Sequence, residues 1–157
     1  MKKKRVVIIS LLLLLVSVIG ISSYFLFKDK INLLDVDHSA VDWNGKKQKD
    51  TSGEENTIAI PGFEKVTLYA NETKQAVNFH NPEINDCYFK ISLIHPDGSV
   101  LWISDLIEPG KGMYSIELEK TLAVGEYENA VLKYECFSLN DQSPLNGSEI
   151  NLKLVVV

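Results

Sequence analysis

Residues that carry chemistry are scarce in this chain. Three histidines (His38, His80 and His95) and two cysteines (Cys87 and Cys136) are its whole stock of imidazoles and thiols. Neither GxxxxGK nor a strand-following GxGxxG occurs, so nucleotides and S-adenosylmethionine-like molecules have no visible backbone cradle, and no cofactor is expected. A GxSxG nucleophile elbow is missing too. A catalytic triad would need one of the histidines beside a serine and a carboxylate in a pocket. Instead, His80 precedes Asn81-Pro82 and His95 precedes a tight turn, both places where a polar residue ends a strand at the surface. A metal site drawn from His80, His95, Glu83 and Asp86 has no ligand spacing on any one element. No basic face is evident beyond Lys2–Arg5 and the net charge is −5, which argues against nucleic acid. An enzyme is not expected.

No cysteine lies near the N-terminal apolar run, which excludes a lipoprotein. The run itself, Val6 to Phe27, carries no charge and is dominated by Leu, Ile, Val and Phe. As a helix it spans about 30 Å, the thickness of bilayer hydrocarbon. Its insertion is favourable by on the order of several kcal/mol. Lys2-Lys3-Lys4-Arg5 precede it, so the positive-inside rule places residues 1–5 in the cytoplasm and everything after Lys30 outside. A cleaved signal peptide shares the basic start but has an apolar core of only about 7–15 residues. Here Tyr24-Phe25-Leu26-Phe27 continues the run past Ile19–Ser23, where cleavage would fall. The expectation is therefore a single-pass anchor over 6–27 in the cell membrane, and both readings export the rest of the chain.

Residues 28–57 are rich in Asp, Lys, Asn, Gly, Ser and Gln, the composition of a polar stalk. Within them Ile31, Leu33, Leu34, Val36, Val41 and Trp43 form a weak apolar patch that could dock on the domain or lie along the membrane interface. A mostly mobile spacer is the expected reading.

Helical periodicity is lacking beyond Ile58. Short runs of β-branched and aromatic residues take its place: Glu64–Ala70, Ala76–His80, Cys87–His95, Ser99–Ser104, Met113–Glu119, Tyr127–Phe137 and Glu149–Val157. Turn signals separate them, among them Pro96-Asp97-Gly98, which predicts a hairpin. The pattern predicts that 58–157 is an all-β antiparallel sandwich of about seven strands. Alternation assigns Cys87, Phe89, Ile91 and Leu93, then Tyr114, Ile116 and Leu118, then Ile150, Leu152, Leu154 and Val156 to the core. Leu122–Tyr127 resembles the tyrosine corner of immunoglobulin-like and fibronectin type III-like sandwiches, which gives Tyr127 a structural role. After Tyr127 the apolar row moves to Ala130, Leu132, Tyr134 and Cys136, so a β-bulge is expected near Glu128-Asn129.

Setting Phe89 opposite Tyr134 and Ile91 opposite Leu132 brings Cys87 opposite Cys136. Outside the reducing cytosol a disulfide there would close a loop of about fifty residues and stabilise by a few kcal/mol. Two buried free thiols are the alternative.

Binding is left as the function. The loops Asn81–Asp86 and Leu139–Asn146 would share one end of the sandwich, with Asn81, Glu83, Asn85, Asp86, Asn140, Asp141 and Gln142 as candidate contacts. Trp102, with Tyr69 and Tyr88, is the candidate for an exposed aromatic platform. Both features also have a plain reading, as turn solvation and as packing.

The basic apolar anchor, the polar stalk and a domain holding Asn81-Pro82, Cys87-Tyr88-Phe89, Pro109-Gly110-Lys111 and Tyr134-Glu135-Cys136-Phe137-Ser138 resemble a group of small membrane-anchored surface proteins of Gram-positive bacteria. Members of that group sometimes carry the label RNA (uracil-5-)-methyltransferase, which nothing in this sequence supports. The resemblance implies an Ig-like/fibronectin III-like head, no activity and no functional residues. The expected function is a non-catalytic, membrane-tethered extracytoplasmic interaction module, partnered by another surface or envelope protein. A domain binding cell-wall glycan and a hydrolase are the alternatives.

Overall fold

Strands form here because β-branched and aromatic residues alternate with polar ones between turn-forming pairs, a pattern that buries one side of each strand. The computed structural model describes residues 33–45 and 57–157. The anchor expected at 6–27 and most of the stalk lie outside the described residues. Among the described residues there is no helix, hence none long and apolar enough to cross a membrane. The strands are β1 (Val41–Asp42), β2 (Lys65–Leu68), β3 (Lys74–His80), β4 (Cys87–Ile94), β5 (Val100–Ile103), β6 (Lys111–Glu117), β7 (Gly125–Ser138) and β8 (Pro144–Val156). They make two sheets, a three-stranded one in the order β1-β6-β3 and a five-stranded one in the order β2-β8-β7-β4-β5. The result is all-β and sandwich-like.

All seven expected runs are strands. The hairpin at Pro96-Asp97-Gly98 is present: His95 N–H donates to Ser99 O at 2.9 Å, and Gly98 takes φ 86°, a left-handed conformation that glycine adopts at no steric cost. Pairing of β7 with β8 slips between Tyr127 and Ala130, with Asn129 at φ 62°, so the expected bulge is there. β8 runs further back than the apolar pattern suggested, to Pro144, because β7 pairs with it down to Phe137. One pairing was not legible: β2 runs parallel to β8, Lys65 beside Lys153 through Leu68 beside Val156.

The core lies between the sheets. Phe89, Ile91, Leu93, Leu106, Ile107, Leu132 and Leu154 are wholly buried, and each such side chain favours the fold by about 1.5–3 kcal/mol relative to exposure. Phe79 packs edge-on against Phe63 at 5.5 Å and stacks with Trp102 at 5.8 Å. Tyr114 corrects the expected core: it is exposed, while Met113 is buried with Ile116. The cause is an irregularity in the β3–β6 pairing between Ala76 and Phe79, which reverses the inward parity of β6 partway along.

The register of β4 on β7 is two residues away from the expected one. Phe89 faces Cys136, Ile91 faces Tyr134, and Cys87 faces Ser138. Cys87 and Cys136 are therefore diagonal neighbours, which corrects the register behind the disulfide expectation, and both are free thiols in this structure. Diagonal residues on paired strands stand about 7–8 Å apart, beyond the usual Cα reach of a disulfide.

Candidate functional site

The expected sites are best followed from the end of the sandwich where β3, β4, β7 and β8 meet their loops. Asn81 and Asn85, both read as candidate contacts, are buried and taken by the fold. Asn81 Nδ2 donates to Cys87 O at 2.8 Å and to Ile107 O at 2.9 Å. Asn85 grips Ala59 from both sides, accepting from its N–H at 2.8 Å and donating to its C=O at 3.0 Å, and donates to Asn81 Oδ1 at 2.9 Å. An amide side chain has donors and an acceptor that can copy a backbone unit, and here Asn85 copies one toward Ala59. Glu83 and Asp86 are exposed on the same loop.

In the β7–β8 turn, Asn140 and Asp141 are exposed, and Asp141 accepts from Ser143 N and Oγ, which holds its carboxyl below the usual range. Gln142, at φ 55°, turns its amide onto Leu34, accepting from Leu34 N at 2.6 Å and donating to Leu34 O at 3.1 Å. The stalk segment from Leu34 to Gly45 accordingly lies on the domain. Val36 bridges Leu106, β1 pairs antiparallel with β6, and Trp43 N–H donates to Gly110 O at 2.8 Å. For Val36, Val41 and Trp43, docking replaces the expected mobile spacer.

Trp102 is 7 % exposed, which corrects its assignment to a surface platform. Its register partner is Leu93, a member of the inward row, and residues directly opposite share a face. Tyr127 is half-buried, donates through Oη to Ala123 O at 2.9 Å and packs edge-on against His95 at 5.1 Å.

None of the described histidines meets a serine nucleophile. His95 Nδ1 lies 2.9 Å from Asp97 Oδ1, and Asp97 also accepts from Ser99, bonds that draw its carboxyl well below the ordinary range. Ser99 Oγ accepts from Lys120 Nζ at 2.9 Å, so Asp97 and Ser99 belong to the turn that closes the β4–β5 hairpin. His80 is buried beneath Trp43, the rings 3.8 Å apart and nearly parallel. Among the described residues no three His, Cys, Asp or Glu side chains are grouped to hold a metal ion.

The outer face of the five-stranded sheet is partly open, with Ser92 buried on it and Tyr88, Lys90, Lys133, Glu135 and Phe137 half-buried. Register carries three rows across it: Tyr88, Phe137 and Pro144; Lys90 and Glu135; Ser92, Lys133 and Glu149. The pairing of β7 with β8 slips a second time between Tyr134 and Cys136, and the slip opens a groove of about 340 Å³. Phe137 and Pro144 supply its apolar wall, exposed Leu145, the register partner of Cys136, stands at its end, and Lys133, Glu135 and Glu149 are its charged rim. That volume is at the lower end of the range for small-ligand sites, about 300–1,000 Å³. Lys133 and Glu135 are 3.5 Å apart and more than a third exposed, so their attraction is worth at most about 1 kcal/mol and yields readily to another partner. The signal was in the sequence: if Tyr134 and Cys136 point inward, Glu135 and Phe137 point out, and Tyr88 does so between Cys87 and Phe89.

The two thiols hydrogen-bond to each other on the inner side of this sheet. That bond, reinforced by burial, pushes Cys136 far above the ordinary thiol value, and the same bond holds Cys87 below it. Comparisons with protein-family models, curated proteins and solved structures return no match for the chain.

Proposed function

We propose that the protein is a non-catalytic, membrane-tethered interaction module working on the outer side of a Gram-positive cell membrane, with an Ig-like or fibronectin III-like head. The observation that carries the reading is the groove beside Phe137, where aromatic and apolar side chains line an opening in the five-stranded sheet. Half-buried Tyr88 and Phe137 pair across strands there, ringed by charges that offset one another. An apolar centre inside a polar rim is the composition of a protein-docking patch. Support for an Ig-like head comes from the two-sheet all-β arrangement and from the Tyr127 bond to Ala123. Support for the tether comes from the uncharged run 6–27 behind Lys2–Arg5.

The partner is another surface or envelope protein. Cell-wall glycan is the second reading, favoured by the Tyr88–Phe137 pair next to carboxylates, since sugars stack on aromatic faces and hydrogen-bond at their edges. The test is a photo-crosslinking residue in place of Leu145, activated on intact cells, beside the same residue in place of Thr67 on β2. A discrete protein adduct from position 145 alone supports the protein partner. Saturable retention on purified wall material, lost in Tyr88→Ala, supports the glycan reading. Absence of both overturns the assignment of this face, and a head that external protease cannot reach on whole cells overturns the location.

A further inference from the structure

His80 ends β3 with its ring buried, and its Nδ1 has no hydrogen-bond partner among the described residues. Over it lies Trp43, stacked within 8° of parallel and held by Nε1 donating to Asn78 Oδ1 at 2.8 Å. Gly112 of β6 makes the seat: a Cβ there would stand 2.8 Å from the indole and 3.0 Å from His80 Cβ. The next residue along, Asn44, is bonded to the Tyr114 hydroxyl through both its N–H and Oδ1. The indole is thus a lid set on two strands, β3 and β6, and the imidazole beneath it is the one ring in the seat that can change charge near neutral pH.

We propose that residues 34–45 are an acid-released clasp, held on β6 by Trp43 closing over neutral His80 and let go when the imidazole gains a proton. The charged groups on the surrounding elements do not offset that proton. Asp42, beside Trp43, is bonded at 2.6 Å to Lys111, beside Gly112, so the two answer each other. Glu108 of the β5–β6 connection acts on Lys111, Glu83 lies against Gly110, and Lys74 is at the other end of β3. None of these side chains bonds the His80 ring in this structure. An imidazolium needs acceptors at both nitrogens. The indole covers one face of this buried ring, so lifting it admits water to the imidazolium. Attraction between an imidazolium and the indole face acts in the other direction. Burial opposes that attraction: desolvation, the largest influence on His80, lowers its pKa from the ordinary value of 6.5, against a hydrogen bond to the Asn78 backbone carbonyl that raises it. The linkage has one sign: closure is at full strength above the free-histidine value, weakens as pH falls below it, and stops weakening below the closed state's own value. Each pH unit between the two values is about a tenfold preference of the closed clasp for the neutral ring.

If the tethering proposed above holds, release also frees 34–45 from the head, but the clasp itself does not depend on location or partner. The test uses the full chain in detergent micelles with Trp102→Phe, which leaves Trp43 as the sole tryptophan. On acidification its emission is expected to move to the red and its quenching by acrylamide to increase, with a midpoint below the ordinary histidine value, and His80→Gln should abolish both changes. A second measurement keeps Trp102: the His80 ring, followed by NMR, should titrate below the ordinary value and move back toward it in Trp43→Ala. Emission that does not respond to acid, an unchanged transition in His80→Gln, or a His80 pKa indifferent to Trp43→Ala overturns the proposal. None of these readouts involves the groove, so a failed crosslink at position 145 leaves the clasp standing.

Discussion

Replacing Asn85 with alanine measures how far the loop before β4 serves the fold. Asn85 is 4 % exposed and its amide makes three hydrogen bonds, two to buried Ala59 and one to buried Asn81. Truncation removes all three and leaves Ala59 N–H, Ala59 C=O and Asn81 Oδ1 without partners. A buried polar group stripped of its partner costs about 1–3 kcal/mol. Water entering the vacated space recovers part of that, so the expected loss is about 3–5 kcal/mol. Against a total stability of about 5–15 kcal/mol for a domain, that is a large share. Urea unfolding followed by circular dichroism should show the midpoint falling by roughly 2 M with the slope unchanged. Glu83→Ala on the same loop is the control, exposed and expected to change stability by no more than about 0.5 kcal/mol. An Asn85→Ala protein as stable as the control would refute the argument, because the amide would then not be what holds Ala59 in place.

Gly147→Ala should destabilise by about 1–3 kcal/mol or more, read as a lowered thermal midpoint, because a Cβ at Gly147 would fall 2.2 Å from the Tyr134 carbonyl oxygen on the facing strand. Thiol titration of denatured, non-reduced protein should recover both Cys87 and Cys136, with slow reaction in the native state because both are buried; a single bonded pair would overturn the register argument. Trp102→Ala should cost about 3–5 kcal/mol in urea, as deletion of a core aromatic does, while retention on wall material per folded molecule stays as in the parent.

How much was legible depended on whether a feature is written locally. Strands, the Pro96-Asp97-Gly98 hairpin and the bulge after Tyr127 each announce themselves within a few residues, through alternation, turn chemistry or a parity slip. Register is not local. Alternation has period two, so a two-residue slide of β4 on β7 keeps every core residue inward and cannot be detected from pattern, which is why Cys87 was placed opposite Cys136 rather than diagonal to it. Trp102 was misread for a related reason: on a four-residue strand with Leu101 and Trp102 both buried, there is no alternation to read, and its face follows from its pairing with Leu93. Docking of 34–45 was hidden by composition. Its polar residues suit a stalk, and the contacts that hold it are hydrogen bonds and one ring stack with residues far along the chain, Gln142 among them.

The loops of a sandwich are its default place for binding, and here those at one end are partly consumed. Asn81 and Asn85 close the core there, and Gln142 secures the chain as it enters the domain. Surface free of such duties lies instead on the outer side of the five-stranded sheet, where the second slip of β7 on β8 parts the strands enough to form a groove. The clasp segment pairs with β6, which belongs to the other sheet. Among the groove-lining residues none bonds to 34–45, so the groove stays accessible whether the segment is docked or released. A partner captured at position 145 should therefore bind equally well above and below the pH at which Trp43 lifts, and a crosslink that disappeared on acidification would mean that the two sheets are coupled through the core.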